Sequence, residues 1–111
     1  EMVQGDELTL NFTLDKIPFF REASKMYQNG VTTRANKINR EIVEKHWSFT
    51  HQSRPEQQEL LLDPQTSGGL LFGVPGDQSD SVISALHNGG VSSSKHVGFV
   101  SKFNIAKLIF S

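Results

Sequence analysis

Residues 61–74 read LLDPQTSGGLLFGV, a polar turn that is followed at once by an apolar run. Pro64 disfavours a helical conformation at the residue before it, because the proline ring clashes with that residue. Gly68 and Gly69 allow the backbone to take positive φ where a side chain would clash. The run at 70–74 is typical of a strand that is buried on both faces. The stretch therefore predicts a glycine-containing turn that leads into the central strand of a sheet.

The order of these features excludes a Walker-type phosphate loop. Such a loop places its glycines after a strand and a Lys-Ser/Thr pair at the start of a helix. Here the glycines precede the predicted strand and no lysine follows them. Two hydroxyls and consecutive backbone N–H groups can still form a nest that binds an anion, and they belong to Thr66, Ser67, Gly68 and Gly69. A tight turn whose hydroxyls cap their own backbone explains the same residues, so both interpretations stay open.

The composition limits the classes of function. A chain of 111 residues with a net charge of −1 and no cysteine is one domain's worth of sequence. The absence of cysteine excludes disulfides, thiolate metal sites and a cysteine nucleophile. Near-zero charge gives no electrostatic reason to expect nucleic acid or an anionic membrane as the main partner. No stretch resembles a signal peptide or is apolar over the length of a bilayer, so a cytoplasmic protein is expected.

Helix and strand patterns alternate along the rest of the chain. Alternating apolar and polar residues at 8–14 predict a strand. Capping residues and apolar stripes predict helices at 18–29, after the Thr32-Thr33 pair, at 55–62, and from Asp77 or Ser79 to Asn88. Two further strands are expected at 96–102 and 105–110, while 46–54 gives no clear pattern. The stripes assign these side chains to the core: Phe19, Ala23, Met26, Tyr27, Ala35, Ile38 and Ile42.

This layout predicts an α+β fold, a mixed β-sheet with helices packed mainly on one face. The connection from residues 70–74 through the helix that ends at Asn88 is long enough for a parallel crossover, which should be right-handed. Residues 1–5 read as the end of a helix with Gly5 as its terminator. The chain is therefore expected to begin partway through a domain.

The string LLLDPQTSGGLLFGVP at 60–75 resembles the C-terminal domain of selenophosphate synthetase (selenide, water dikinase), in the AIR-synthase-like superfamily. The resemblance extends over about residues 2 to 110, with 46–58 unmatched. Its other supports are segments 17–20, 30–33, 39–41 and 97–100. The family commonly has glycines where this chain has Arg34-Ala35, so the resemblance assigns no backbone contact with a ligand to these two residues.

The resemblance implies a cytosolic, dimeric, magnesium-dependent enzyme that uses ATP and water to convert selenide to selenophosphate, AMP and orthophosphate. In that family the ATP- and metal-binding groups lie mainly in an N-terminal domain. Residues 1–111 are therefore expected to be one truncated C-terminal domain, inactive alone and without tightly bound ATP or Mg²⁺. The implied partners are its own N-terminal ATP-binding domain and a second copy in a homodimer.

The resemblance assigns no catalytic or metal-binding residue to this chain. Only Thr66, Ser67, Gly68 and Gly69 carry a role over, as a loop that lines the interdomain cleft or contacts phosphate. Two alternatives remain open. One is a sibling ATP-using enzyme with another substrate, because the superfamily fold does not determine the substrate. The other is a structural or dimerisation module, which the lack of a candidate acid, base or nucleophile also fits.

Overall fold

The computed structural model describes residue 5, residues 7–64 and residues 67–111. The helix end predicted at residues 1–5 lies outside these residues except for Gly5, which has a φ of 89°. Four helices and four strands form the described part of the chain. The helices are α1 (Arg21–Gln28), α2 (Arg34–Val43), α3 (Pro55–Leu62) and α4 (Ser79–Asn88), and the strands are β1 (Leu8–Phe12), β2 (Trp47–Phe49), β3 (Gly98–Lys102) and β4 (Leu108–Phe110).

The sheet is mixed and has the strand order β2-β4-β1-β3. Strand β1 pairs antiparallel with β3 and parallel with β4, and β2 adds to the other edge of β4 in parallel. The α+β fold with a mixed sheet, predicted from the sequence, is confirmed. None of the described helices is long and apolar enough to cross a bilayer.

Aromatic side chains build the core on one face of the sheet. Phe110 of β4 stacks on Phe12 of β1 and on Phe49 of β2, with ring centroids 5.3 and 5.2 Å apart. Trp47 meets the ring of Phe110 edge-on at 6.3 Å. Such pairs add to the free energy gained by burial. Phe12, Phe110 and Phe49 are paired with one another in the sheet, so their rings form one row across β1, β4 and β2.

The fully buried Thr9 joins β1 to the segment between β3 and β4. Its hydroxyl donates to the carbonyl of Ala106 at 2.7 Å and accepts from the backbone N–H of Asn104 at 3.1 Å. A buried hydroxyl without partners would destabilise the sheet, and here both its donor and its acceptor are used.

The prediction of a central strand at residues 70–74 is wrong. Residues 67–75 are irregular chain, and Leu70 is 92% exposed. The fourth strand is instead β2, in the segment that had no clear pattern. An apolar run of five residues does not show whether a partner strand is available, and three residues are too few to show alternation. The predicted crossover from 70–74 is therefore absent from the described residues, where the parallel pairs are β1–β4 and β2–β4.

The predicted inner faces of α1 and α2 are wrong in part. Tyr27 is buried, but Phe19 precedes α1 and is 56% exposed. Ile38 and Ile42 lie on the outside of α2, and Asn36 is the side chain of α2 that is fully buried. Polar partners on α3 select the inner face of α2, and a hydrophobic stripe cannot reveal them.

The observed ends of the helices agree better with those predicted from the sequence than the buried faces do. Thr33 caps α2 by accepting the N–H of Asn36, and Pro55 is the first residue of α3. Gly30 follows α1 with a φ of 75°, the left-handed conformation expected of a terminating glycine. Helix α4 ends at Asn88 as predicted, but Gln78 occupies its N-cap position instead of Asp77 or Ser79. Helix α1 and strands β3 and β4 each begin later than predicted.

Candidate functional site

The predicted site lies on the segment that follows α3. Ser67, Gly68 and Gly69 are exposed, while Thr66 lies outside the described residues. Among the described glycines, positive φ occurs at Gly5, Gly30 and Gly90, and Gly69 does not use the conformational freedom that its missing side chain allows. Among the described residues, no atom lies within 4 Å of the position that a Cβ on Gly69 would take. The loop is therefore open to a ligand on that side.

Helix α2 caps the end of α3 from which this loop emerges. The last four carbonyls of an α-helix have no partner within the helix. The side-chain amides of Asn36 and Asn39 donate to the carbonyls of Glu59 and Leu62, at 2.9 and 2.8 Å. The N–H of Asp63 reaches the carbonyl of Leu60 at 3.4 Å. Two asparagines three residues apart on α2 thus satisfy two of the carbonyls that have no partner within α3.

Tyr27 of α1 holds the first residue after α3. Its hydroxyl donates to the Oδ1 of Asp63 and lies 3.3 Å from the Oδ1 of Asn36. Burial raises the pKa of Tyr27 above its ordinary value, and the neighbouring Asp63 carboxylate raises that pKa further. Tyr27 is 6% exposed, so this hydroxyl forms part of the core where the three helices meet.

Glu59, one turn before Asp63 on α3, is the centre of a second set of contacts. Its carboxylate accepts from Arg40 at 2.7 Å, from Asn36 at 2.8 Å and from Thr32 at 3.1 Å. Burial opposes the ionised form, but these hydrogen bonds outweigh it and hold the pKa of Glu59 below its ordinary value. The Arg40 guanidinium also lies 5.6 Å from the ring centroid of Trp47, which links the helices to β2.

The network makes stability depend on pH. Because the pKa of Glu59 is lower in the folded chain than in the unfolded one, its ionised form stabilises the fold above about pH 4.5. That contribution is lost as pH falls through the lower, folded value. We expect the Glu59→Gln variant to lose about 1 kcal/mol at pH 7, the scale of a partly exposed ion pair, and much less at pH 3. Urea unfolding monitored by the single tryptophan, Trp47, tests this.

The control for that measurement is Glu41→Gln, which alters an exposed carboxylate on α2. We expect its unfolding free energy to follow that of the unmodified chain between pH 7 and pH 3. An equal loss for Glu59→Gln at both pH values would contradict the role given to the ionised carboxylate.

A cleft of ≈ 220 Å³ lies beside the network, between α1 and α3. Its lining contains Glu56 and Glu59, which pair with Arg54 at 3.5 Å and Arg40 at 2.7 Å. The other lining residues are Tyr27, Gly30, Val31, Thr32 and Pro55. Each of the two carboxylates in the wall of this cleft is therefore paired with an arginine.

The histidines and carboxylates of the described part are not arranged as a metal centre. Within residues 7–64 and 67–111, no three His, Asp or Glu side chains are grouped so that they could hold a metal ion. All four histidines are exposed, and they are His46, His51, His87 and His96. What the described residues offer to a ligand is the hydroxyl and backbone of an open loop on a hydrogen-bonded base.

Sequence reasoning missed this base. Tyr27 was assigned to the core for its apolar ring, and Asn36 and Asn39 were given no contacts. One signal was available, since asparagine is unfavourable inside helices and two asparagines spaced by three residues lie on one face. The spacing indicates a shared partner, although it does not identify α3.

Comparison with known proteins gives a consistent set of relatives. No protein-family model matches the chain. A selenide, water dikinase of Desulfitobacterium hafniense is 37% identical over 82 residues, which are 74% of this chain and 24% of the relative. That of Bdellovibrio bacteriovorus is 34% identical over 78% of the chain and 24% of the relative. That of Clostridioides difficile is 27% identical over 90% of the chain and 29% of the relative. The chain thus spans about a quarter of the length of these relatives.

Proposed function

Because the chain belongs to the selenide, water dikinase family, we propose that it forms the C-terminal domain of an ATP-dependent selenophosphate synthetase. The whole enzyme would convert selenide, ATP and water to selenophosphate, AMP and orthophosphate. Its catalytic groups would come from an N-terminal ATP-binding domain, and the enzyme would act as a homodimer in the cytoplasm. The similarity over three quarters of the chain carries this proposal.

In the proposed role, residues Thr66, Ser67, Gly68 and Gly69 line the ATP site and contact a phosphate. The openness of the loop at Gly69 supports this, because bare backbone can approach an anion closely. The Ser67 hydroxyl is a donor suited to a phosphate oxygen. Phosphoryl transfer depends mainly on positioning and neutralising the phosphates, and this loop would serve the positioning. Magnesium would be held by the other domain, since the described residues do not fit a metal.

The reaction is tested on the polypeptide encoded by the whole gene. We expect ATP consumption and AMP formation that depend on added selenide. ATP consumption that is equally fast without selenide would overturn the proposal and would favour a sibling enzyme with another substrate. Residues 1–111 alone should show no turnover in either case.

The loop is tested by a single substitution in the same polypeptide. We expect Ser67→Ala to lower kcat/KM for ATP about tenfold, since a hydrogen bond to a charged group contributes about 1.5–3 kcal/mol. The matched control is Ser92→Ala, which removes an exposed hydroxyl from another turn and should leave kcat/KM within twofold. Equal kcat/KM values for the two variants would show that the Ser67 hydroxyl does not bind ATP.

A second candidate is a module that only packs against other polypeptide. Large exposed apolar side chains favour it, among them Leu70 at 92%, Phe20 at 83% and Ile105 at 74%. Calorimetry of residues 1–111 with ATP and magnesium tests this second candidate. Binding at micromolar ATP would argue against a purely structural role. We expect weak or no binding, because most phosphate ligands would lie in the other domain.

A further inference from the structure

We propose that Tyr27, Asn36 and Asn39 are positioning residues that hold the base of the loop formed by Ser67, Gly68 and Gly69 in one orientation. The loop would then present its backbone and the Ser67 hydroxyl to a phosphate without having to be ordered first. Only the phosphate contact rests on the proposed function. The positioning itself rests on contacts within this chain.

The first step is that the start of the loop is held at two consecutive residues. Asn39 binds the carbonyl of Leu62, and Tyr27 binds the carboxylate of Asp63. Pro64 follows directly, and its ring restricts both its own φ and the conformation of Asp63. Ser67 is four residues beyond Asp63, so its distance from that anchor is at most about 14 Å. A fixed and stiff base therefore limits where the loop can go.

The second step concerns the charge of Asp63. The C-terminal end of a helix carries a partial negative charge, so a carboxylate there is electrostatically unfavourable. Helix stability alone would favour an uncharged residue at this position. The Tyr27 hydroxyl offsets the repulsion by donating to the carboxylate. The contact is therefore better explained by the orientation that it imposes than by the stability of α3.

The third step is that α3 carries a matched contact one turn earlier. Thr32 donates its hydroxyl to the Glu59 carboxylate at 3.1 Å, as Tyr27 does to Asp63 four residues later. Each contact joins a hydroxyl to a carboxylate, one within α3 and one on the residue directly after it, and only the second lies at the base of the loop. Thr32→Val is therefore the control for Tyr27→Phe, because each variant removes one hydroxyl from one of the two contacts.

The experiment uses ¹⁵N-labelled chains of residues 1–111. Each variant is first compared with the unmodified chain by the fluorescence of Trp47, the single tryptophan. We expect Tyr27→Phe to shift the amide resonances of Ser67, Gly68 and Gly69 at least threefold more than Thr32→Val does. Asp63→Asn keeps Tyr27 and should move the same resonances, which provides a second variant if Tyr27→Phe does not fold.

Tyr27 is the single tyrosine of the chain, so its ionisation can be followed by ultraviolet absorbance. In Asp63→Asn the phenol should lose the neighbouring negative charge, and its pKa should fall toward the ordinary value of 10.0. The Glu59 carboxylate, which also raises the pKa of Tyr27, and the Arg40 guanidinium that pairs with Glu59 are unchanged in that variant. An unaltered titration would show that the hydroxyl does not bind Asp63 and would overturn the proposal.

The positioning proposal would also be overturned if the loop resonances stayed in place in both Tyr27→Phe and Asp63→Asn. It would likewise be overturned if Thr32→Val shifted them as far as Tyr27→Phe does. In the whole enzyme, Tyr27→Phe should lower kcat/KM for ATP about tenfold, and Thr32→Val should stay within twofold. Displaced resonances together with ATP consumption that ignores selenide would refute the proposed function and leave the positioning intact. Selenide-dependent turnover with unmoved resonances would support the proposed function and refute the positioning.

Discussion

Replacing Asn36 by leucine is expected to destabilise the folded chain by about 4 kcal/mol. Asn36 is 1% exposed, and its side-chain amide donates to the carbonyl and the carboxylate of Glu59. Its Oδ1 accepts from the Thr33 hydroxyl at 2.6 Å. Leucine has a similar size but cannot make any of these three hydrogen bonds, and each bond lost by a buried polar group costs about 1–3 kcal/mol. The loss is large because the groups left behind include a carboxylate.

Urea unfolding followed by Trp47 fluorescence measures this loss. Lys37→Leu is the matched control, because it introduces the same side chain on the exposed side of α2. We expect the control to stay within about 0.5 kcal/mol of the unmodified chain. A loss below 1.5 kcal/mol for Asn36→Leu would show that water or other groups replace the amide.

Replacing Gly98 by alanine is expected to cost about 3 kcal/mol and to lower the unfolding temperature by about 15 °C. A Cβ at this position would lie 1.9 Å from the carbonyl oxygen of Asn11 and 3.0 Å from the Cα of Phe12. These atoms belong to the backbone of β1, which pairs with Gly98 through Phe12. No side-chain rotation can relieve such a contact, so β3 must move away from β1. Glycine is required here for the close approach of two strands.

Scanning calorimetry of Gly98→Ala and Gly73→Ala tests this expectation. Gly73 is the control, because among the described residues no atom lies within 4 Å of its added Cβ. We expect Gly73→Ala to unfold within about 3 °C of the unmodified chain, since an exposed substitution changes stability by about 0.5 kcal/mol or less. Equal unfolding temperatures for the two variants would mean that β3 is not held against β1 at this residue.

The loop and the three helices before it show which features can be predicted from the sequence and which cannot. The string that contains Gly68-Gly69 indicates the family and the candidate site from sequence alone. The helix breaks around it follow from Pro55 and Pro64, which act on their own neighbours in the chain. The base under the loop could not be predicted in the same way. Its central hydrogen bonds join Asn36 to Glu59 and Tyr27 to Asp63, over 23 and 36 residues of sequence.

The sheet shows the same limit. Alternation predicted β1, whereas the apolar run at 70–74 suggested a strand where the chain is irregular and exposed. Strand β2 has three residues and pairs in parallel with β4, about sixty residues later in the sequence. Hydrophobicity shows that a segment avoids water, but it does not show which other segment will pair with it.

The sequence by itself determined the α+β class, the limits of most helices and the family, because caps, prolines, glycines and motif strings act or are recognised locally. The tertiary structure alone decided which face of α2 is buried, which segment supplies the fourth strand and what supports the loop. Those choices depend on donors and acceptors that come together only when distant parts of the chain meet. A buried polar group is stable only beside its partner, and that partner is not in the same stretch of sequence.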